Sequence, residues 1–136
     1  MNKFAPGVLL NSMIPSFSKL PKEKVLPLIS GEDRRQFKNM IDRQRSGHGF
    51  LIDLEQSRHD LTSELASIRC PALIMHSIHD ASVPLEHARH AHRTIPNARL
   101  CELDSWGHLI WLGAGTDVMC GQLLSFLDDV IERERR

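Results

Sequence analysis

The stretch Cys70 to Pro84, CPALIMHSIHDASVP, constrains the fold more than any other part of this chain. Its apolar run from Ala72 to Met75 is short and is bounded by proline and a polar loop, which is typical of a parallel strand covered on both faces. Asp80 lies just past the end of that predicted strand. Open α/β sheets carry their chemistry at the carboxyl ends of their strands, so Asp80 is placed to act on a ligand or to orient another side chain.

A second strand is predicted from Ala98 to Asp104, and it leads into a turn that contains Gly107 and His108. Asp80 and His108 are 28 positions apart (108 − 80), and a helix is predicted between the two strands. A strand, a crossover helix and a second strand form a βαβ unit, whose right-handed connection brings both strand ends to one edge. The sequence therefore predicts Asp80 and His108 at the same edge of a parallel sheet.

Together, PALIMHSIHDASVP and the following DSWGHL resemble the C-terminal part of the α/β-hydrolase fold family. In that family an acid after one strand orients a histidine after the next, so the resemblance implies that Asp80 is the catalytic acid and His108 the catalytic base. The resemblance runs from about Val8 to the C-terminus. The family nucleophile lies upstream in G-x-S-x-G, and this sequence has no such motif.

The resemblance implies a parent reaction in which a nucleophile–His–Asp triad hydrolyses an ester, a lactone or a similar acyl bond in a small apolar substrate. This chain would hold the acid and the base of that triad and would be inactive alone, as the C-terminal half of a hydrolase. An N-terminal half would then have to complement it before it acts on a small-molecule substrate. No substrate-binding residues are predicted.

Two alternatives stay open, namely a non-catalytic interaction domain and a small complete enzyme with an unconventional nucleophile. By residue type alone, substitutes for the nucleophile would be Ser12, Ser77, Ser105 or Cys120, although none stands in the strand-turn-helix context of a nucleophile elbow. A G-x-S-x-G motif encoded immediately upstream of Met1 would favour the incomplete hydrolase over both alternatives.

The predicted fold class is α/β, a partial α/β-hydrolase fold in one domain over residues 1–136. Residues 7–15 and 68–136 are expected to form the core, and residues 16–67 a helical, cap-like insertion. The apolar run Gly7 to Pro15 predicts a first strand, hence a three-stranded parallel sheet with flanking helices; the alternative is a frayed N-terminal arm. The outer edge of that strand would be unpaired, which predicts a homodimer or an aggregate.

The predicted insertion is helical. A short turn is expected over Leu20 to Leu26, and a capping box at Ser30 to Asp33 begins a helix that Gly47 ends. The expected apolar faces are Phe37, Met40 and Ile41, then Phe50, Leu51 and Leu54, then Leu61, Leu65 and Ile68. A final helix from Asp117 to Glu134, with Thr116 as N-cap, should pack on the sheet through Met119, Leu123, Phe126, Leu127 and Val130.

Composition excludes several classes of function. Lys+Arg and Asp+Glu both number 17, so no net charge favours nucleic acid or an anionic membrane. No targeting segment or membrane span is recognised, and three cysteines, an odd number, indicate a reducing compartment, so we expect a cytoplasmic protein. The cysteines Cys70, Cys101 and Cys120 are expected to be buried. No cofactor or metal is predicted, because the nearby histidines His76, His79, His87, His90 and His92 lack convergent zinc-ligand spacing.

Overall fold

A computed structural model describes residues 6–43 and 47–135 of the chain. In chain order the elements are α1 Pro6–Phe17, α2 Lys22–Val25, a 3₁₀ turn Leu26–Leu28, α3 Gly31–Arg43, α4 Gly47–Gln56, α5 Thr62–Ser67, β1 Ala72–Ser77, α6 Leu85–Thr94, β2 Ala98–Leu103 and α7 Thr116–Glu134. Within these residues, no helix combines the length and the apolarity needed to cross a bilayer.

The predicted βαβ unit is present. Strands β1 and β2 pair in parallel from Ala72 opposite Ala98 to Ser77 opposite Leu103, and α6 packs on both strands. Ala88 of α6 is buried. The polypeptide crosses over between the strands, so the loops that follow β1 and β2 leave the same edge of the sheet.

The predicted first strand is wrong. Residues 7–15 lie in α1, where Leu10 and Ile14 are buried and Phe17 is partly buried. This spacing of four and three residues is helical, and a short apolar run cannot by periodicity be told apart from a buried helix. The described sheet therefore has two strands instead of three, and the unpaired first-strand edge that suggested a dimer does not exist in this structure.

The main core lies beside the sheet, between the first three helices and the loop after β2. Its buried members are Leu10, Ile14, Val25, Ile29, Phe37, Trp106, Leu109 and Leu112. Trp106 is 1% exposed, and its indole Nε1 donates a hydrogen bond of 2.7 Å to the carbonyl of Leu112. The loop that carries His108 is therefore anchored by burial in the helical layer.

The capping box predicted for α3 is confirmed. The Asp33 backbone N–H donates to Ser30 Oγ at 3.1 Å, while Asp33 Oδ2 accepts hydrogen bonds from the backbone N–H and the hydroxyl of Ser30 at 2.7 and 2.6 Å. Asp33 Oδ1 also accepts the Gly113 N–H at 3.0 Å. The start of α3 is thus tied to the loop after β2. Phe37 is buried, with Met40 and Ile41 packed against the same core.

Other details of the helices differ from expectation. Gly47 was expected to end α3, but it is the first residue of α4, Gly47–Gln56. The described part of α3 is Gly31–Arg43. Gly115, at a φ of 94°, takes the N-cap position of α7, and Thr116 is the first residue of that helix. The Thr116 hydroxyl donates to the Gly113 carbonyl at 2.7 Å. Several side chains expected to pack are instead exposed, in α4 Phe50, Leu51 and Leu54 and in α7 Leu123 and Leu127.

The expected burial of the cysteines is also wrong in two cases. Cys70 and Cys120 are exposed, and Cys101 is partly buried. Cys70 precedes β1, and Cys120 lies on α7. Small apolar side chains bury only where the tertiary structure covers them, so residue type alone does not predict their exposure.

Candidate active site

Asp80 is held in the loop after β1 by the backbone that follows it. Its side chain is buried, and its Oδ1 accepts the N–H groups of Ser82 at 2.7 Å and Val83 at 2.9 Å. Burial by itself raises the pKa of the carboxyl, but the hydrogen bonds from Val83, His108 and Ser82 outweigh it, and the pKa lies below the ordinary value of 3.8. Asp80 is therefore an oriented carboxylate at neutral pH.

His108 is positioned by the C-terminal end of α1. Its backbone N–H donates to the Phe17 carbonyl at 2.8 Å, and the same oxygen accepts the Ala81 N–H at 3.3 Å. The imidazole stacks on the Phe17 ring, with centroids 6.1 Å apart and planes 11° from parallel. One carbonyl of α1 thus joins the loop of Asp80 to the loop of His108.

Gly107 allows this close approach. A Cβ atom added there would lie well under 3.0 Å from the Phe17 carbonyl oxygen, and 3.1 Å from both the Phe17 carbonyl carbon and Ser18 Cβ. The residue before His108 must therefore lack a side chain for His108 to bond to α1.

The structure brings the two predicted site residues together. His108 Nδ1 lies 2.8 Å from Asp80 Oδ2, within the range of a hydrogen bond. An ionised carboxylate only accepts, so Nδ1 carries the proton and Nε2 of the neutral ring is left as the basic nitrogen. In the described part of the chain Nε2 makes no hydrogen bond, and the side chain is 35% exposed. This imidazole can take a proton from a hydroxyl or thiol placed beside it.

A cavity of about 210 Å³ adjoins the pair. Asp80 and His108 line it together with the mainly apolar side chains Met75, Val83, Ile110 and Trp111, and with His76 and Ser77. Apolar walls around an acid–base pair suit a small substrate group with little polarity.

None of the possible substitute nucleophiles is bonded to His108 in the described part of the chain, although Ser77 lines the same cavity. Ser12 lies on α1, with its hydroxyl bonded to the Leu9 carbonyl at 2.7 Å. Ser77 is fully buried and donates to the Ser105 carbonyl at 2.8 Å, while the Ser105 hydroxyl is buried and has no partner among the residues that the structure describes. Cys120 is exposed on α7. None of the four makes a hydrogen bond to His108 within residues 6–43 and 47–135.

The other histidines do not form a ligand set. His79 Nε2 contacts Asp104 Oδ1 at 2.9 Å, and His90 Nε2 lies 3.0 Å from the hydroxyl of Thr62. His87, His90 and His92 are exposed along α6. Among the residues that the structure describes, no three His, Cys, Asp or Glu side chains are placed to hold a metal ion.

Sequence reasoning missed Phe17 and Ser18, because the expected strand ended before them. Ser18 is buried, its backbone bridges to Asp80, and its hydroxyl donates to the Trp106 carbonyl. It also missed the position of His76, weighed only as a metal ligand, whose Nε2 lies 3.5 Å from Asp80 Oδ2. The sequence signal for this contact was the four-residue spacing from His76 to Asp80. Because β1 ends at Ser77, between the two residues, neither helical nor strand periodicity predicts the contact.

With this geometry in place, comparison with known proteins shows similarity to a longer bacterial protein named as a hydrolase. That relative is the uncharacterized hydrolase YcgS of Bacillus subtilis (strain 168), 44% identical over 128 residues. The alignment covers 94% of this chain and 45% of YcgS, so the chain spans less than half of the relative's length. No protein-family model matches the chain.

Proposed function

We propose that Asp80 and His108 are the acid and the base of a hydrolase that cleaves ester, lactone or similar acyl bonds through a nucleophile–His–Asp triad. The observation that carries the proposal is the 2.8 Å contact between His108 Nδ1 and a buried Asp80 beside a cavity, with no hydrogen bond at Nε2 from the described residues. The name of the Bacillus subtilis relative supports hydrolysis as the reaction.

In the proposed mechanism, His108 Nε2 takes the proton of a nucleophilic hydroxyl as its oxygen attacks the substrate carbonyl carbon. Asp80 stabilises the imidazolium and keeps the proton of Nδ1 in place. The imidazolium then protonates the leaving oxygen as the acyl bond breaks. Water, activated by the same histidine, next hydrolyses the acyl-enzyme and regenerates the hydroxyl.

The nucleophile and the oxyanion-hole donors belong, in this proposal, to sequence outside residues 1–136. Donors of this kind commonly contribute a large part of the rate, and a triad without its nucleophile keeps little activity. The chain alone is therefore inactive, and the helical segment of residues 16–67 acts as a cap over the completed site. The apolar lining of the cavity favours a small apolar acyl or alcohol group.

The test compares the isolated chain with a chimera in which this chain replaces the matching region of the Bacillus subtilis relative. The isolated chain should not hydrolyse a chromogenic short-chain ester above background and should not be labelled by a fluorophosphonate. The chimera should do both.

Within the chimera, His108→Ala should lower kcat at least about a thousandfold, and Asp80→Asn should also lower it strongly. His92→Ala is the matched control, since His92 is an exposed histidine on α6, and it should leave the rate unchanged. Robust esterase activity of the isolated chain would contradict the proposal, and Ser12, Ser105 and Cys120 would then be the candidate nucleophiles.

A further inference from the structure

Within residues 6–43 and 47–135, the Asp80 carboxylate has one acceptor position that no donor fills. An ionised carboxylate offers about four lone-pair positions. Ser82 and Val83 occupy the two on Oδ1, and His108 occupies one on Oδ2. His76 Nε2 lies 3.5 Å from the same Oδ2 atom. This distance is slightly too long for a hydrogen bond and short enough for a strong charge contact.

The surroundings of His76 determine which of its nitrogens carry protons. The ring lies on β1 with its side chain 12% exposed, and its Nδ1 is 2.8 Å from the Ser77 carbonyl oxygen. A carbonyl can only accept, so Nδ1 must donate. His76 Nε2 is buried and has no hydrogen-bond partner in the described part of the chain.

A neutral His76 protonated on Nδ1 would turn the Nε2 lone pair toward a carboxylate, and it would leave a buried polar atom unsatisfied. A ring protonated on both nitrogens would avoid both the repulsion between lone pairs and the unsatisfied buried atom, because Nε2–H would then face Asp80 Oδ2. The site is therefore shaped for two donors at Oδ2, one from each histidine.

The charged groups around His76 are mixed in sign. Glu102 lies directly opposite it on β2, and the Arg89 guanidinium is the main reason that the pKa of Glu102 lies below its ordinary value, with a smaller contribution from His76. The acidic neighbours of His76 are thus Asp80 and Glu102, and Arg89 is ion-paired with Glu102.

We propose that His76 is a positioning residue of this site, whose Nε2–H donates a hydrogen bond to Asp80 Oδ2. This bond holds the carboxylate in the orientation that accepts the hydrogen bond from His108 Nδ1. This donation requires the ring to shift by a few tenths of an ångström from the 3.5 Å separation, since N–H···O bonds are about 2.7–3.2 Å long. The catalytic meaning of this role rests on the proposed function. The contact itself is a property of the 136-residue chain and is tested there.

The experiment measures, by NMR on the chain with ¹⁵N-labelled histidine rings, how fast the His108 Nδ1 proton exchanges with water. The matched variants are His76→Gln and His76→Asn. Glutamine places its amide nitrogen near the position of Nε2 and keeps a donor for Asp80, whereas asparagine places it near Nδ1 and keeps a donor for Ser77.

We expect His76→Asn to speed exchange of the His108 proton about tenfold or more, and His76→Gln to stay within about threefold of the native rate. A role in packing alone would make the two variants alike. Equal exchange in native protein and both variants would overturn the proposal.

The native protein provides a second measurement in case both variants fail to fold. A proton on His76 Nε2 should be observed in the native protein, and it should exchange more slowly than the Nε2 proton of exposed His92. Equal exchange at the two rings would overturn the proposal. If instead the NMR results hold while the chimera has no activity, the proposed function fails and the contact between His76 and Asp80 stands.

Discussion

Gly107→Ala should destabilise the chain and separate the two halves of the candidate site. The new Cβ would meet the Phe17 carbonyl oxygen well under 3.0 Å away, a distance that Cβ atoms essentially never show. The obstacle is backbone at the end of a helix, so it cannot rotate aside as a side chain would. The loop carrying His108 must therefore move away from α1.

The cost of that movement follows from the bonds it breaks. The Phe17 carbonyl accepts the His108 N–H at 2.8 Å and the Ala81 N–H at 3.3 Å. Overpacking costs about 1–3 kcal/mol, and an unsatisfied buried backbone group costs about 1–3 kcal/mol more. The sum, about 2–6 kcal/mol, is a large fraction of the roughly 5–15 kcal/mol by which domains are stable.

The assay is urea unfolding followed by far-ultraviolet circular dichroism, together with the NMR signal of the His108 ring. The matched control is Gly121→Ala, because Gly121 lies inside α7 with nothing within 4 Å of its added Cβ. This control should be stabilising by about 0.5–1 kcal/mol, the usual gain of alanine over glycine in a helix. The steric argument would be refuted if Gly107→Ala had the same urea midpoint as the native chain while Gly121→Ala was stabilised.

Three further predictions concern stability, each measured by urea unfolding. Hydrogen bonds lower the pKa of both Asp33 and Asp80 in spite of burial. Each carboxylate therefore stabilises the folded state above its ordinary pKa of 3.8, and this stabilisation is lost as the pH falls toward the lower folded pKa. The urea midpoint should be lower at about pH 3 than at about pH 6, and an unchanged midpoint would contradict this. Ser30→Ala removes the α3 cap and should cost about 1 kcal/mol, whereas no loss would mean that the cap is redundant. Trp106→Phe removes the donor to Leu112 and leaves a gap, and should cost about 2–4 kcal/mol; a loss under about 1 kcal/mol would show that the core repacks.

The βαβ unit and the meeting of Asp80 with His108 were predictable from the sequence. Buried parallel strands have a characteristic short apolar run, and a helix between two such runs leaves essentially one handedness for the connection. The residues after each strand must then share an edge. The capping box at Ser30 was predictable for a similar reason, because its hydrogen bonds join residues three apart in the chain.

The tertiary structure alone decided the features that depend on contacts between distant residues. The run from Gly7 to Pro15 is apolar enough for a strand or a helix, and packing of α1 on α3 selects the helix. Phe17, Gly107 and His76 acquire their roles from separations of a few ångströms between parts of the chain that no local periodicity links. Local patterns specify elements and their order, whereas side-chain partners follow from how those elements pack.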